Sequence, residues 1–283
     1  MVMFEEYWFL FALAGVVALF AAVQDWKKTE VANWLNFSFI TIAIVYRIFY
    51  ANFSGNWSFF IYGLVGVGFM FVIANLLYYT KVFGGGDAKL LMGFGAVLPY
   101  GSFNGVFVLC LVFLMALFFL GAVYSLVYSL VIALRNRKKF SKLFRERLVS
   151  YKKINQKWVI ALFGALFFII VIFGEVLGFL LMLFIALFYF GQAYLMSVDN
   201  LMIVRRKPNE LMEGDWLEKE VKIGRRLIKK SVHGLSKNDI EFLKSKKKSV
   251  MVKQGIPFVP VFFVTWGFMV YAFLTLQIPS FLF

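Results

Sequence analysis

Lys81–Pro99 reads KVFGGGDAKLLMGFGAVLP: one carboxylate, Asp87, stands directly after three glycines and directly before a short apolar run closed by a proline. The reading of Ala88–Pro99 decides the fold. As a helix this run would be only about 18 Å long, short of the roughly 20 apolar residues that a bilayer span needs, so it either re-enters the membrane or continues past its proline. The remaining apolar runs are Tyr7–Gln24, Trp34–Tyr50, Phe59–Tyr79, Gly105–Leu134, Trp158–Phe173, Val176–Ser197 and Ile256–Gln277, with Gly174-Glu-Val-Leu-Gly178 as the natural hairpin between the fifth and sixth of these. Counting Ala88–Pro99 as a crossing puts 29 of the 30 lysines and arginines in alternate loops, as the positive-inside rule requires. Only Arg47 falls elsewhere. If the short run did not cross, the basic block from Arg135 would face outward.

Composition agrees with a membrane chain. Of 283 residues, 62% are hydrophobic and 16% charged, against about a quarter charged in a soluble domain. The net charge of +15 sits in blocks between apolar runs, which argues against nucleic acid as a partner and for a lipid bilayer. Cys110, the single cysteine, lies in an apolar run and rules out an intrachain disulfide or a cysteine-rich metal module. Met1-Val-Met-Phe-Glu-Glu carries no basic n-region and no small-residue cleavage site, so the first run is expected to be retained.

The expected architecture is an all-α polytopic membrane protein of about eight transmembrane helices, with a small cytoplasmic α/β insert before the last. Residues 1–134 form the transmembrane part that carries Asp25 and Asp87, 135–157 a basic cytoplasmic connector and 158–198 a transmembrane hairpin. Residues 199–255 form a soluble subdomain and 256–283 the last helix. Turn signals at Pro208-Asn209 and Gly214-Asp215, and Ser236 followed three residues later by Asp239 in a capping-box pattern, shape the insert. Both termini are expected outside and the basic loops in the cytoplasm, at the plasma membrane.

Two acids stand apart from the loops and tails. Asp25 ends the first span and Asp87 opens the fourth, at the same expected cytoplasmic depth. Carboxylates at membrane helix ends are costly and by default functional when they face a protein interior. Gly84, Gly85 and Gly86 can adopt positive φ and admit close approach of backbone or substrate, bending the chain to present Asp87. A helix N-terminus favours ionised Asp87, whereas a second carboxylate nearby favours sharing one proton. Such a pair can take a proton from water with its charged member and activate an amide carbonyl with its protonated one. Zinc protease chemistry needs histidines at metal spacing and a rhomboid-type serine protease needs a buried histidine base; the one histidine, His233, lies in the polar segment and reads as a surface residue. No metal and no cofactor is expected.

These residues resemble the GxGD aspartyl proteases of the type IV prepilin peptidase group, in particular the archaeal preflagellin and prepilin peptidases. Asp25-Trp-Lys-Lys-Thr-Glu-Val-Ala-Asn-Trp34 is similar to the family's first-aspartate box, and Gly84-Gly-Gly-Asp-Ala-Lys-Leu-Leu91 with Pro99 to its second. Gly255-Ile-Pro-Phe-Val-Pro260 resembles the archaeal C-terminal signature, and Glu213-Gly-Asp-Trp-Leu217 the insert that precedes it. The resemblance implies that Asp25 and Asp87 are catalytic. It also implies membrane-anchored partners as substrates: archaellin or type IV pilin precursors, cut on the cytoplasmic side between a short basic leader and the apolar helix that follows. The cysteine-rich domain of the bacterial branch is missing, so methylation of the new N-terminus is not expected, and the extra hairpin Trp158–Ser197 leaves preflagellin and prepilin substrates both open. Two rivals remain: a presenilin or signal-peptide-peptidase type enzyme, against which Gln24-Asp25 at a span end argues, and a proton-coupled transporter.

Other residues carry two readings each. Lys89 tunes Asp87 or, preferably, snorkels to the interface; Asn33 orients the Asp25 loop or caps the second span. Pro257 and Pro260 free carbonyls near substrate or, slightly preferred, start a helix. Gly63, Gly66 and Gly68 read as close helix packing. Asp199, Glu210 and Glu213 receive a basic leader or, preferably, are solvated loop acids.

Overall fold

The computed structural model describes residues 6–28, 30–151, 164–165, 167–168, 175–224, 226–231 and 234–275. His233 and most of the expected span Trp158–Phe173 lie outside these. In chain order the elements are α1 (Trp8–Lys28), α2 (Asn33–Ser54), α3 (Trp57–Tyr79), α4 (Gly85–Val97), α5 (Phe103–Arg135), α6 (Arg137–Tyr151), α7 (Glu175–Leu201), β1 (Ile203–Arg206), β2 (Trp216–Leu217), β3 (Val221–Ile223), β4 (Arg226–Ile228), α8 (Lys237–Ser245), β5 (Val250–Lys253) and α9 (Val259–Thr275). The chain forms two compact units, residues 1–126 with 256–283, and residues 127–255.

Among the described residues α1, α2, α3 and α5 are long and apolar enough to cross a membrane. Of the eight expected spans, these four have spanning length among the described residues, while α9 is apolar but only 17 residues long. Helix α4 has 13 residues, about 20 Å at 1.5 Å per residue against a hydrocarbon core of about 30 Å. Its shortness reflects its position: Ala88, Leu90, Leu91 and Gly93–Val97 are all buried, packed chiefly against α3 and α2. A helix surrounded by protein needs no lipid-facing length.

Close approach explains which glycines matter. A Cβ on Gly66 would collide with the Gly95 carbonyl oxygen and one on Gly95 with the Gly66 carbonyl oxygen, so α3 and α4 meet backbone to backbone. Gly63 makes room for the Arg47 side chain, whereas Gly68 faces open space and takes no part in packing.

Arg47, the cation that broke the charge pattern, is fully buried and works as a structural clasp. Its Nε donates to the Ala96 carbonyl at 2.6 Å, Nη1 to Phe59 at 2.5 Å and Nη2 to Leu98 at 2.7 Å, while the guanidinium lies 4.6 Å from the centroid of the Phe59 ring. Carbonyls at a helix C-terminus lack intrahelical partners. Arg47 supplies them where Pro99 halts the chain, which lets α4 end inside the bundle.

Helix α9 lies antiparallel along α1: Phe11 stacks on Phe273, Trp266 Nε1 donates to the Phe11 carbonyl at 3.1 Å, and Asp25 meets Val259. In the second unit β5 pairs antiparallel with both β1 and β2, and β3 with β4, over a core that includes Leu211, Leu235, Leu243 and Val252. Gly214 has φ +91°, as a turn there requires.

Candidate active site

Asp25 stands in the last turn of α1, where the carbonyl end of its own helix is electrostatically unfavourable to an anion. The antiparallel run of α9 corrects this by bringing a helix N-terminus to the same point. The Val259 amide donates to Asp25 Oδ2 at 2.9 Å, and the Phe258 amide also hydrogen-bonds the carboxylate. Asp25 is 6% exposed, so these two donors replace most of its hydration.

Asp87 is the third residue of α4 and its Oδ2 accepts from the Gly84 amide at 3.1 Å, the acidic half of a capping box. The sharp turn before it is not made by glycine. Lys81 takes the left-handed conformation, φ 62°, while the Val82 amide donates to the Leu77 carbonyl and the Lys81 amide to that of Tyr78, the Schellman closure of a helix end. Gly84, with φ −72°, is not left-handed, and neither Gly85 nor Gly86 has positive φ, contrary to the expectation that the triplet bends the chain. Only Gly86 sits in a tight place, since a Cβ there would lie 3.3 Å from Val31 Cβ, whereas one on Gly84 or Gly85 would make ordinary contacts.

The two acids flank one junction: Asp25 is bonded by the Val259 amide, and the ring of the adjacent Phe258 lies 5.5 Å from that of Phe83, four residues before Asp87. Lys89 reaches neither by a hydrogen bond; its Nζ donates to Asn33 Oδ1 at 2.6 Å, tying the start of α4 to the start of α2. Asn33 does not cap α2, whose N-cap is Ala32 with no side-chain cap. The Ala32 amide instead donates to Gln24 Oε1 at 3.0 Å, which closes the α1–α2 turn beside Asp25.

Asn36 went unnoticed in the sequence. It is fully buried on α2, and its Nδ2 donates to the Gly86 carbonyl at 3.3 Å, one residue before Asp87. A single amide side chain on the buried face of a membrane helix was the available signal. The insert's acids are engaged locally: Asp199 pairs with Lys253 at 2.5 Å, Glu210 Oε2 accepts from the Lys207 amide at 3.1 Å, and Glu213 is exposed. Pro260 is the second residue of α9, so the prolines mark a helix start. Among the described residues no group of three or more His, Cys, Asp or Glu is placed to hold a metal.

Comparison with known proteins reaches the same region. Residues 12–126 match the model of the type IV leader peptidase family. A preflagellin peptidase of Methanococcus voltae is 29% identical over 93 residues, which cover 33% of this chain and 40% of that protein. A preflagellin peptidase of Methanocaldococcus jannaschii is 28% identical over 89 residues, covering 31% and 38% respectively. The aligned part is thus about two fifths of each relative. No solved structure matches the chain. The resemblance drawn from the aspartate boxes is borne out in the part of the chain that carries both.

Proposed function

We propose that the protein is a membrane aspartyl endopeptidase that removes the leader of archaellin or type IV pilin precursors, with Asp25 and Asp87 as its catalytic pair. The observation that carries this reading is that two carboxylates, one at the end of α1 and one at the start of α4, are held by backbone amides on either side of the Phe83–Phe258 contact, in the segment that matches the leader peptidase family. The pair holds one proton between its members. The ionised carboxylate takes a proton from water as it attacks the scissile carbonyl, the protonated one donates to that carbonyl's oxygen, and proton return to the amide nitrogen releases both fragments. No cofactor enters. The reaction takes place at the cytoplasmic face, where a short basic leader meets the apolar helix of the precursor and where the basic loops of the enzyme are expected.

Co-expression with a preflagellin and with a type IV prepilin tests this. Wild type shortens at least one precursor, and Asp25→Asn and Asp87→Asn each lower the rate by about a thousandfold or more, as removal of one member of a cooperating catalytic set does. Glu175→Gln cleaves like wild type. Retained shortening in both Asn variants would disprove the mechanism.

A further inference from the structure

The contact that fixes Asp25 comes from outside residues 12–126, the segment that matches the leader peptidase family. At the first turn of α9 the usual unpaired amides are few. Pro260 has no N–H, the Val261 amide donates to the Phe258 carbonyl at 3.0 Å, and the amides of Phe258 and Val259 go to Asp25. The Phe258 ring faces the other acid's segment. Its centroid is 5.5 Å from that of Phe83, which immediately precedes the glycines before Asp87. It also rests on α5, where Gly121 leaves it room, since a Cβ there would lie 2.6 Å from the ring. A shallow cavity of about 240 Å³ lined by Val82, Phe83, Phe118, Gly121 and Phe258 opens beside it.

We infer that the turn Phe258-Val259-Pro260 is a positioning element that sets the two carboxylates against each other, its amides holding Asp25 and its phenyl ring holding the segment that leads to Asp87. The inference rests on the proposed catalytic role of the pair. A residue with free rotation about χ1 and χ2 would lose its attack geometry without such a brace, and a misplacement of about 1 Å is enough to cost about a hundredfold in rate. Substitutions at Val259 separate amide from side chain. Proline is tolerated at the first helical position, where it removes the N–H and leaves the helix intact, so Val259→Pro deletes the donor to Asp25 Oδ2, while Val259→Ala keeps it.

The test uses the full chain in membranes with the precursor that wild type shortens, and reads kcat and KM separately. Val259→Pro is expected to lower kcat about ten- to hundredfold, the loss of one hydrogen bond to a buried charge, with KM within about twofold, while Val259→Ala stays within a few-fold of wild type. Installing the α-hydroxy analogue of valine at position 259, an ester in place of the amide, removes the same N–H with the side chain intact; it must reproduce the kcat loss, and it alone decides if Val259→Pro fails to fold. Phe258→Ala is expected to lower kcat as well. Equal kcat for the ester and the wild type, or equal losses in Val259→Pro and Val259→Ala, would overturn the positioning role while leaving the pair catalytic. Wild-type cleavage persisting in Asp25→Asn would instead remove the reading on which it depends.

Discussion

Helices α8 and α9 begin in the same way and for opposite ends. Each has an aspartate on the amides of its first turn. For α8 the acid is Asp239, three residues along: its Oδ2 accepts from the Ser236 amide at 3.4 Å, Ser236 Oγ accepts from the Asp239 amide at 3.3 Å, and Arg226 adds a bond of 2.9 Å to Oδ1. For α9 the acid is Asp25, 234 residues away in sequence and almost fully buried. The near cap serves its helix and is worth about 1 kcal/mol. The distant one uses a helix to place a carboxylate. Asp25, Arg47 and Asn36 in the helical unit are fixed by such long-range contacts with backbone, Ser236 and Asp239 in the insert chiefly by each other, and the cost of removing them should divide the same way.

Arg47→Met should show the largest loss. It strands the Ala96 and Leu98 carbonyls at the end of α4 in the interior at about 1–3 kcal/mol per unsatisfied group, so a detergent-solubilised variant is expected to unfold many degrees below wild type; an unchanged midpoint would show that α4 needs no clasp. Asn36→Leu is next. It deletes the bond to the Gly86 carbonyl and is expected to lower cleavage about tenfold, with a stability loss near 1–2 kcal/mol read from the same melts. Ser236→Ala, a local cap, should cost about 1 kcal/mol, seen as faster amide hydrogen exchange within 237–245 and no change in cleavage.

The smallest effect is pH-dependent. The Ser236 hydroxyl, the Ser236 amide and Arg226 together hold the Asp239 carboxyl below its ordinary value near 3.8. A depressed folded value means that the stabilisation is present above the unfolded value and fades as pH falls through the folded one. Asp239→Asn should therefore increase exchange in α8 at pH 6, and the difference from wild type should disappear once the pH has fallen through the lowered folded value of Asp239. A difference that persisted in acid would assign the cap to geometry rather than charge.

Local signals were readable from the sequence alone. Ser236 and Asp239 form the capping box that their spacing indicates, and Asp25 and Asp87 stood out as acids at the ends of apolar runs. What could not be read was the partner of each buried group. Nothing in Arg47 points to the carbonyls of residues 96 and 98, and nothing in Pro257 to Pro260 points to Asp25, because those contacts exist only once α4 and α9 have packed. The glycine triplet misled for a related reason: glycine permits positive φ, but the Schellman closure of α3 had already placed the left-handed residue at Lys81.

The meeting of the two acids can be measured without any substrate. In a Cys110→Ser background, which removes the single native thiol, Asp25→Cys and Asp87→Cys in one chain should be joined in membranes by a short bifunctional thiol reagent, detected as an intramolecular mass gain. Each single variant should take up only one arm. Two thiols that react separately yet never join would contradict the account, since the carboxylates could then not share a water and a peptide bond.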